Sequence, residues 1–272
     1  MHPLEAALIS NPDDDQAWRV YADWLEDRGD ARGRVIQREL AGDPVRHLPD
    51  EIRGGIREGA GVHEVRVKRG WIEHVAIAEP AIARLPSLLA DPAMRFVRSL
   101  SIIATEKAML AATIAQLGAA APVMLRHLQI GGAPIDTFDP LGTVATTLWT
   151  LKLVYVRRRA EPVLPAAMPE LRELAVRGFP SRWIDAQRKL VAAELDLPID
   201  ETFVTALAAS AFAKRVQTLR LPKADREAAQ RLLAIKLPKL REVWIATGAR
   251  DVMAAFRKRG ITAYMLTPSE RG

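Results

Sequence analysis

The chain of 272 residues has no cysteine. That excludes disulfides, thiolate metal sites and cysteine nucleophiles, and it is compatible with a reducing compartment. No apolar run approaches the length of a membrane span, about 18 residues, and no basic-plus-apolar signal segment opens the sequence. The expectation is a soluble, cytoplasmic protein with no membrane span. Local signatures of catalysis are missing as well: there is no G-x-S-x-G elbow, H-E-x-x-H pair, Walker loop or G-x-G-x-x-G turn. The five histidines, His2, His47, His63, His74 and His127, show no ligand spacing. His74 and His127 fall on one face of their strands but two repeats apart, too far for a shared metal. The sequence therefore predicts no enzyme, no catalytic residue, no cofactor and no metal.

What the chain does have is a short phrase, apolar-x-x-apolar-x-apolar, repeated nine times. It runs through Ile72-Val75-Ile77, Val97-Leu100-Ile102, Leu125-Leu128-Ile130, Leu148-Leu151-Leu153 and Leu171-Leu174-Val176. It continues through Leu190-Ala193-Leu195, Val216-Leu219-Leu221, Leu240-Val243-Ile245 and, more loosely, Ile261-Tyr264-Leu266. The steps between first positions are 25, 28, 23, 23, 19, 26, 24 and 21 residues. The last three positions alternate as a strand does, so the apolar pair faces inward and the residue between them faces out. One such strand cannot bury its apolar face; copies must stack in parallel. Helix-compatible stretches lie between: Lys107 to Leu117, Ile184 to Leu190, Ala224 to Leu233 and Asp251 to Arg259.

A period in the twenties built on this phrase is the signature of a leucine-rich repeat solenoid, which offers a concave binding surface. The alternative is a doubly wound α/β domain. Several spacers are too short for a full crossover helix, and no Gly-rich phosphate loop follows any strand. The expected fold is thus α/β: an irregular leucine-rich repeat arc of parallel strands and convex helices. Gly132, Tyr155, Gly178, Leu197, Lys223 and Thr247 stand where an asparagine ladder might begin. Carbonyls in the bends must then be satisfied by local turns or water.

Residues 1–60 lack the phrase and read as a helical cap, leaving 61–272 for a β-hairpin and the repeats. Leu4, Ala7 and Leu8 share one helical face. Asp13 to Asp15 mark a helix start, and Trp18, Tyr21, Ala22 and Leu25 follow at helical spacing until Gly29. A third helix is expected from about Ala31 to Leu40. Trp18 and Trp24, six apart, point to different sides of their helix; one belongs to the core and the other is placed to pack on the first repeat. The acidic residues Asp13 to Asp15, Asp23, Glu26, Asp27 and Asp30 do not follow the EF-hand pattern and read as caps and solvated faces.

Several segments carry a resemblance: Asn11-Pro12-Asp13-Asp14-Asp15, then Trp18 through Asp30, then Arg32-Gly33 and Gln37-Arg38-Glu39-Leu40. Over about forty residues this resembles the repeat-companion domain, a module that precedes degenerate leucine-rich repeats in many bacterial proteins. Residues 63–77, with Arg69-Gly70-Trp71 at the turn, resemble the hairpin that often follows it. The resemblance implies a cap on a repeat array and implies no activity or catalytic residue.

Charge divides unevenly. Residues 1–60 hold 8 basic and 13 acidic residues, net −5; the remainder holds 31 and 20, net +11. The outward strand positions fall in three columns. The first runs Glu73, Arg98, Arg126, Trp149, Arg172, Val191, Gln217, Arg241. The second runs from His74 and Ser99 through Thr150 and Glu173 to Glu242, and the third from Ala76 through Lys152, Ala175, Glu194 and Arg220 to Trp244. Arg and Trp are the residues most often found at interface hot spots. The expected contact residues are therefore Arg126, Trp149, Lys152, Tyr155, Arg172, Arg177, Arg220 and Trp244, binding an unidentified protein partner. The alternative is nucleic acid on the basic surface, including the run Arg157-Arg158-Arg159; acidic residues within the columns would count against it.

Overall fold

In the computed structural model, residues 2–45, 47–54, 56–133, 135, 137–154, 164–165, 168–176, 180–246 and 249–266 are described. The protein is α/β, with ten strands whose lateral order is the chain order; one pair is antiparallel and the other described pairings are parallel. By contact density the chain divides into two compact units, Met1–Ala133 with Pro140–Thr147, and Pro134–Asp139 with Leu148–Gly272.

The first unit begins with α1 (Pro3–Ser10), α2 (Asp15–Glu26), α3 (Arg32–Leu40) and the short α4 (Asp50–Arg53). Asp14 caps α2 by accepting from the amides of Gln16 and Ala17, which satisfies two of the orphan donors of the first turn. The α2 face predicted from spacing is buried: Trp18, Tyr21, Ala22 and Leu25. Gly33 lets α3 approach α2; a Cβ there would lie 2.6 Å from the Ala22 carbonyl oxygen.

A hairpin follows, β1 (Val62–Lys68) against β2 (Trp71–Ala78), with Lys68 opposite Trp71. Its two-residue turn, Arg69-Gly70, has positive φ at both positions, 54° and 74°. That is the backbone that matches the twist of the flanking strands, and glycine adopts it without cost. Then come α5 (Leu85–Ala90), β3 (Ser99–Ala104), α6 (Lys107–Ala120), β4 (His127–Gly132) and α7 (Thr143–Thr147).

One aromatic cluster joins these pieces. Leu8, Trp18, Tyr21, Leu25 and Ile36 of the helices pack with Trp71, Phe96 and Met124. The Phe96 ring meets Trp18, Tyr21 and Trp71 edge-on at 5.8, 6.0 and 4.8 Å. Trp18 is thus both the core tryptophan and the one that packs on Phe96, the residue before the second phrase. Contrary to the sequence expectation, Trp24 does not take that second role; it lies half-buried, stacked on Tyr21 at 5.5 Å and against His2 at 4.4 Å.

The second unit contains β5 (Thr150–Val154), β6 (Glu173–Val176), α8 (Ser181–Ala186), β7 (Ala192–Leu195), α9 (Glu201–Ala209), β8 (Thr218–Leu221), α10 (Arg226–Ala234), β9 (Glu242–Ile245), α11 (Arg250–Lys258) and β10 (Thr262–Met265). Asp200 and Asp225 cap α9 and α10 by accepting from the amides of Phe203 and Ala228. The helix expected over Ile184 to Leu190 lies earlier instead, because Leu190 is drawn into the core as the leading residue of its phrase.

The first eight phrases are buried at every apolar position, none more than 7% exposed. Such burial supplies about 1.5–3 kcal/mol per large side chain. Parallel partners align phrase on phrase: Leu100 with Leu128, Leu174 with Ala193, Leu219 with Val243. The ninth phrase is a correction. Ala263, not Tyr264, pairs with Val243 and points inward, while Tyr264 is 37% exposed. One residue fewer separates the leading Ile261 from the inward Ala263, so Ala263 and Tyr264 exchange faces relative to the expected pattern, while Ile261 and Leu266 are buried as expected.

The bends are satisfied by a recurring backbone device. The Trp149 carbonyl accepts from the amides of Arg172 and Glu173, the Arg172 carbonyl from Val191 and Ala192, the Val191 carbonyl from Gln217 and Thr218, and the Gln217 carbonyl from Arg241 and Glu242, all at 2.7–3.2 Å. Two amides per carbonyl satisfy the backbone where the chain enters each strand. Among the described residues no helix is long and apolar enough to cross a membrane.

Candidate partner-binding face

The strands of the second unit turn alternate side chains away from the apolar interior, and β7, β8 and β9 show this as a strict half-buried, buried repeat. On that outward face the third column forms a ladder across four strands. Glu194 of β7 stands opposite Arg220 of β8, Arg220 opposite Trp244 of β9, and Trp244 opposite Tyr264 of β10. The contacts run the length of it. Glu194 pairs with Arg220 at 3.8 Å, the Arg220 guanidinium lies 4.9 Å from the Trp244 ring centroid, and Trp244 stacks on Tyr264 at 4.2 Å. The Trp244 indole N–H is buried and meets no acceptor.

A second group lies on β5 and β6. Arg172, exposed, covers the half-buried Trp149 ring at 4.3 Å. Lys152 pairs with Glu173 at 3.4 Å, and Thr150 Oγ1 donates to the same carboxylate at 3.5 Å. Of the contact residues predicted from sequence, Trp149, Lys152 and Arg172 come together here, and Arg220 and Trp244 sit in the ladder. Arg126 belongs to the first unit; half-buried, it donates to the carbonyls of Val123 and Leu125. Tyr155, Arg177 and Arg157-Arg158-Arg159 lie outside the described residues. Sequence reasoning missed Tyr264, because it was assigned to the interior; the short approach from Ile261 was the signal for it.

Not every outward position is open. His74, Thr150, Ser101 and Ala175 are only 7–8% exposed, so these points of the second and third columns are covered. His74 Nδ1 lies 2.8 Å from Ser99 Oγ and its Nε2 3.6 Å from Glu64. Burial, followed by the nearby Arg66, holds the His74 pKa below the usual histidine range despite Glu64 and Glu73.

The carboxylates at the start of α2 serve structure. Asp14 is the cap, Asp15 pairs with Arg69, and Asp13 pairs with Arg98 at 3.2 Å. Glu5 is buried, accepting from Tyr21 Oη at 3.1 Å and pairing with Arg95. Burial and the Glu5 charge push the Tyr21 phenol well above its ordinary pKa. Among the described residues no cluster of His, Asp and Glu is arranged to hold a metal. What the outward face of the second unit offers chemically is stacked aromatic surface bordered by charges of both signs. Compared with family models, with curated proteins and with solved structures, the chain matches none.

Proposed function

We propose that this chain is a noncatalytic interaction scaffold: a repeat-companion-like helical cap on an irregular leucine-rich repeat arc, recognising a protein partner through the outward, concave face of its strands. The observation that carries this reading is the pair of cation–aromatic groups on adjacent strands, Arg172 on Trp149 and Arg220 on Trp244. Tryptophan supplies a large, rigid contact area, and arginine a planar fork of donors; both are enriched at interface hot spots. The phrase periodicity, its parallel register and the recurrent carbonyl device in the bends support the repeat architecture. Burial of the apolar phrases leaves the face polar and aromatic, as a binding surface needs.

Nucleic acid is the weaker reading. Glu173 pairs with Lys152, Glu194 with Arg220, and Glu73 with Lys68 and Arg98. A backbone-tracking surface needs a continuous positive stripe, and these carboxylates interrupt it. The test is affinity capture from native lysate with the wild-type chain and with Trp149→Ala, with and without nuclease, at low and high salt. The expected result is a stoichiometric protein that survives nuclease and salt and is lost with Trp149→Ala, while the variant's thermal unfolding stays close to wild type. Retained nucleic acid that disappears with salt transfers the assignment to the alternative.

A further inference from the structure

Strand β10 ends the lateral order, and among the described residues no strand lies beyond it. The amides of Thr262 and Leu266 donate to the carbonyls of Arg241 and Ile245 on the β9 side. Strand alternation therefore turns the amides of Ala263 and Met265 away from β9, toward the open edge.

Edge strands are usually blunted by charge, proline or bulges, because unpaired backbone groups template further pairing. Strand β1, the other end of the order, has all but the proline: Glu64, Arg66 and Lys68 along its length and two breaks of register against β2. Strand β10 has none. Its sequence Thr-Ala-Tyr-Met is uncharged and in unbroken register with β9, and Tyr264 and Met265 are 37% and 52% exposed.

The surroundings define what would pair there. Residues 235–266 hold seven Lys and Arg against two Asp and Glu. Lys239, Arg241, Arg257, Lys258 and Arg259 are exposed and join no ion pair among the described residues, since Asp251 is taken by Arg226. A cavity of about 220 Å³, lined by Leu240, Phe256, Lys236 and Arg259 among others, reaches Ile261, the residue before the strand.

We propose that the β10 edge is a strand-addition site for an extended, acidic segment of a partner protein. Main-chain hydrogen bonds to Ala263 and Met265 supply affinity, and the cationic border selects for carboxylates. A second copy of this chain is disfavoured as occupant, because it would bring the same positive border against itself. The edge is a different surface from the Trp149–Arg172 group, so Trp149→Ala and Met265→Pro test the two readings separately.

The test titrates the full chain into a fluorescein-labelled peptide of alternating valine and glutamate, read by anisotropy. Saturable binding is expected, with loss of binding when lysine replaces glutamate. Met265→Pro removes an edge donor that β9 does not use, and proline is tolerated at such positions. It should leave thermal unfolding unchanged and weaken the peptide roughly tenfold or more. In the wild-type chain, peptide saturation should slow hydrogen exchange at the amides of Ala263 and Met265, a readout that stands even if the variant misfolds. No saturable binding, equal binding by a folded Met265→Pro chain, or unchanged exchange at those amides would each overturn the proposal. A dimer in sedimentation that Met265→Pro dissolves would also overturn it, assigning the edge to a second copy.

Discussion

The two compact units are held together on different length scales. In the first, side-chain contacts reach far along the sequence: Arg69 to Asp15 across 54 residues, Arg98 to Asp13 across 85, Arg95 to Glu5 across 90. In the second, the side-chain contacts between neighbouring strand segments span from 18 residues, for Trp183 and the Pro165 carbonyl, to 32, for Arg231 and the Ile199 carbonyl. The first unit closes on an aromatic cluster that draws on α1 to α3, the hairpin and the approach to β3. The second is a chain of nearest neighbours, with β5 to β10 paired in succession. A long-range network gains its stability all at once, whereas a nearest-neighbour array gains it step by step.

The largest effect should come from breaking a step. Leu151 is fully buried in β5. Leu151→Asp places a charge there with no partner, a loss of about 4 kcal/mol or more, and denaturant unfolding should show the second unit melting well below wild type. Next comes the long-range network. Glu5→Ala strands the buried Tyr21 hydroxyl and releases Arg95, which should cost about 2 kcal/mol and lower the thermal midpoint of the first unit. The smallest effect belongs to an exposed pair between neighbours. Arg226→Ala removes the partner of Asp251 on the surface of the second unit, and no measurable change in the midpoint is expected. A large loss with Arg226→Ala, or none with Glu5→Ala, would erase the contrast between the units.

Much of this was legible in the residues, for physical reasons. Alternation of apolar and polar side chains is forced by the strand, so eight phrases could be read with their inward positions correct. Proline, aspartate and glycine mark ends because they constrain or permit particular backbone angles, so α2, α3 and the Arg69-Gly70 turn were readable too. The ninth phrase was not, since Ile261 follows Gly260 at positive φ and reaches its strand one residue early. The adjacency of Trp149 and Arg172 followed from columns on neighbouring strands. Pairing of Lys152 with Glu173 did not, because it joins the third column to the second and so depends on side-chain reach. The tie between Arg95 and Glu5 is set by tertiary approach alone, and no local pattern announces it.

The spacing of the phrases has one more consequence. Nineteen residues separate Leu171 from Leu190 and twenty-eight separate Val97 from Leu125, yet β6 meets β7 and β3 meets β4 in the same phrase-on-phrase register. Length is absorbed entirely between the strands, where the entropy of closing a longer loop rises only slowly. A sequence of this kind can gain or shed residues in its spacers, or duplicate a whole unit, while each strand still finds its neighbour.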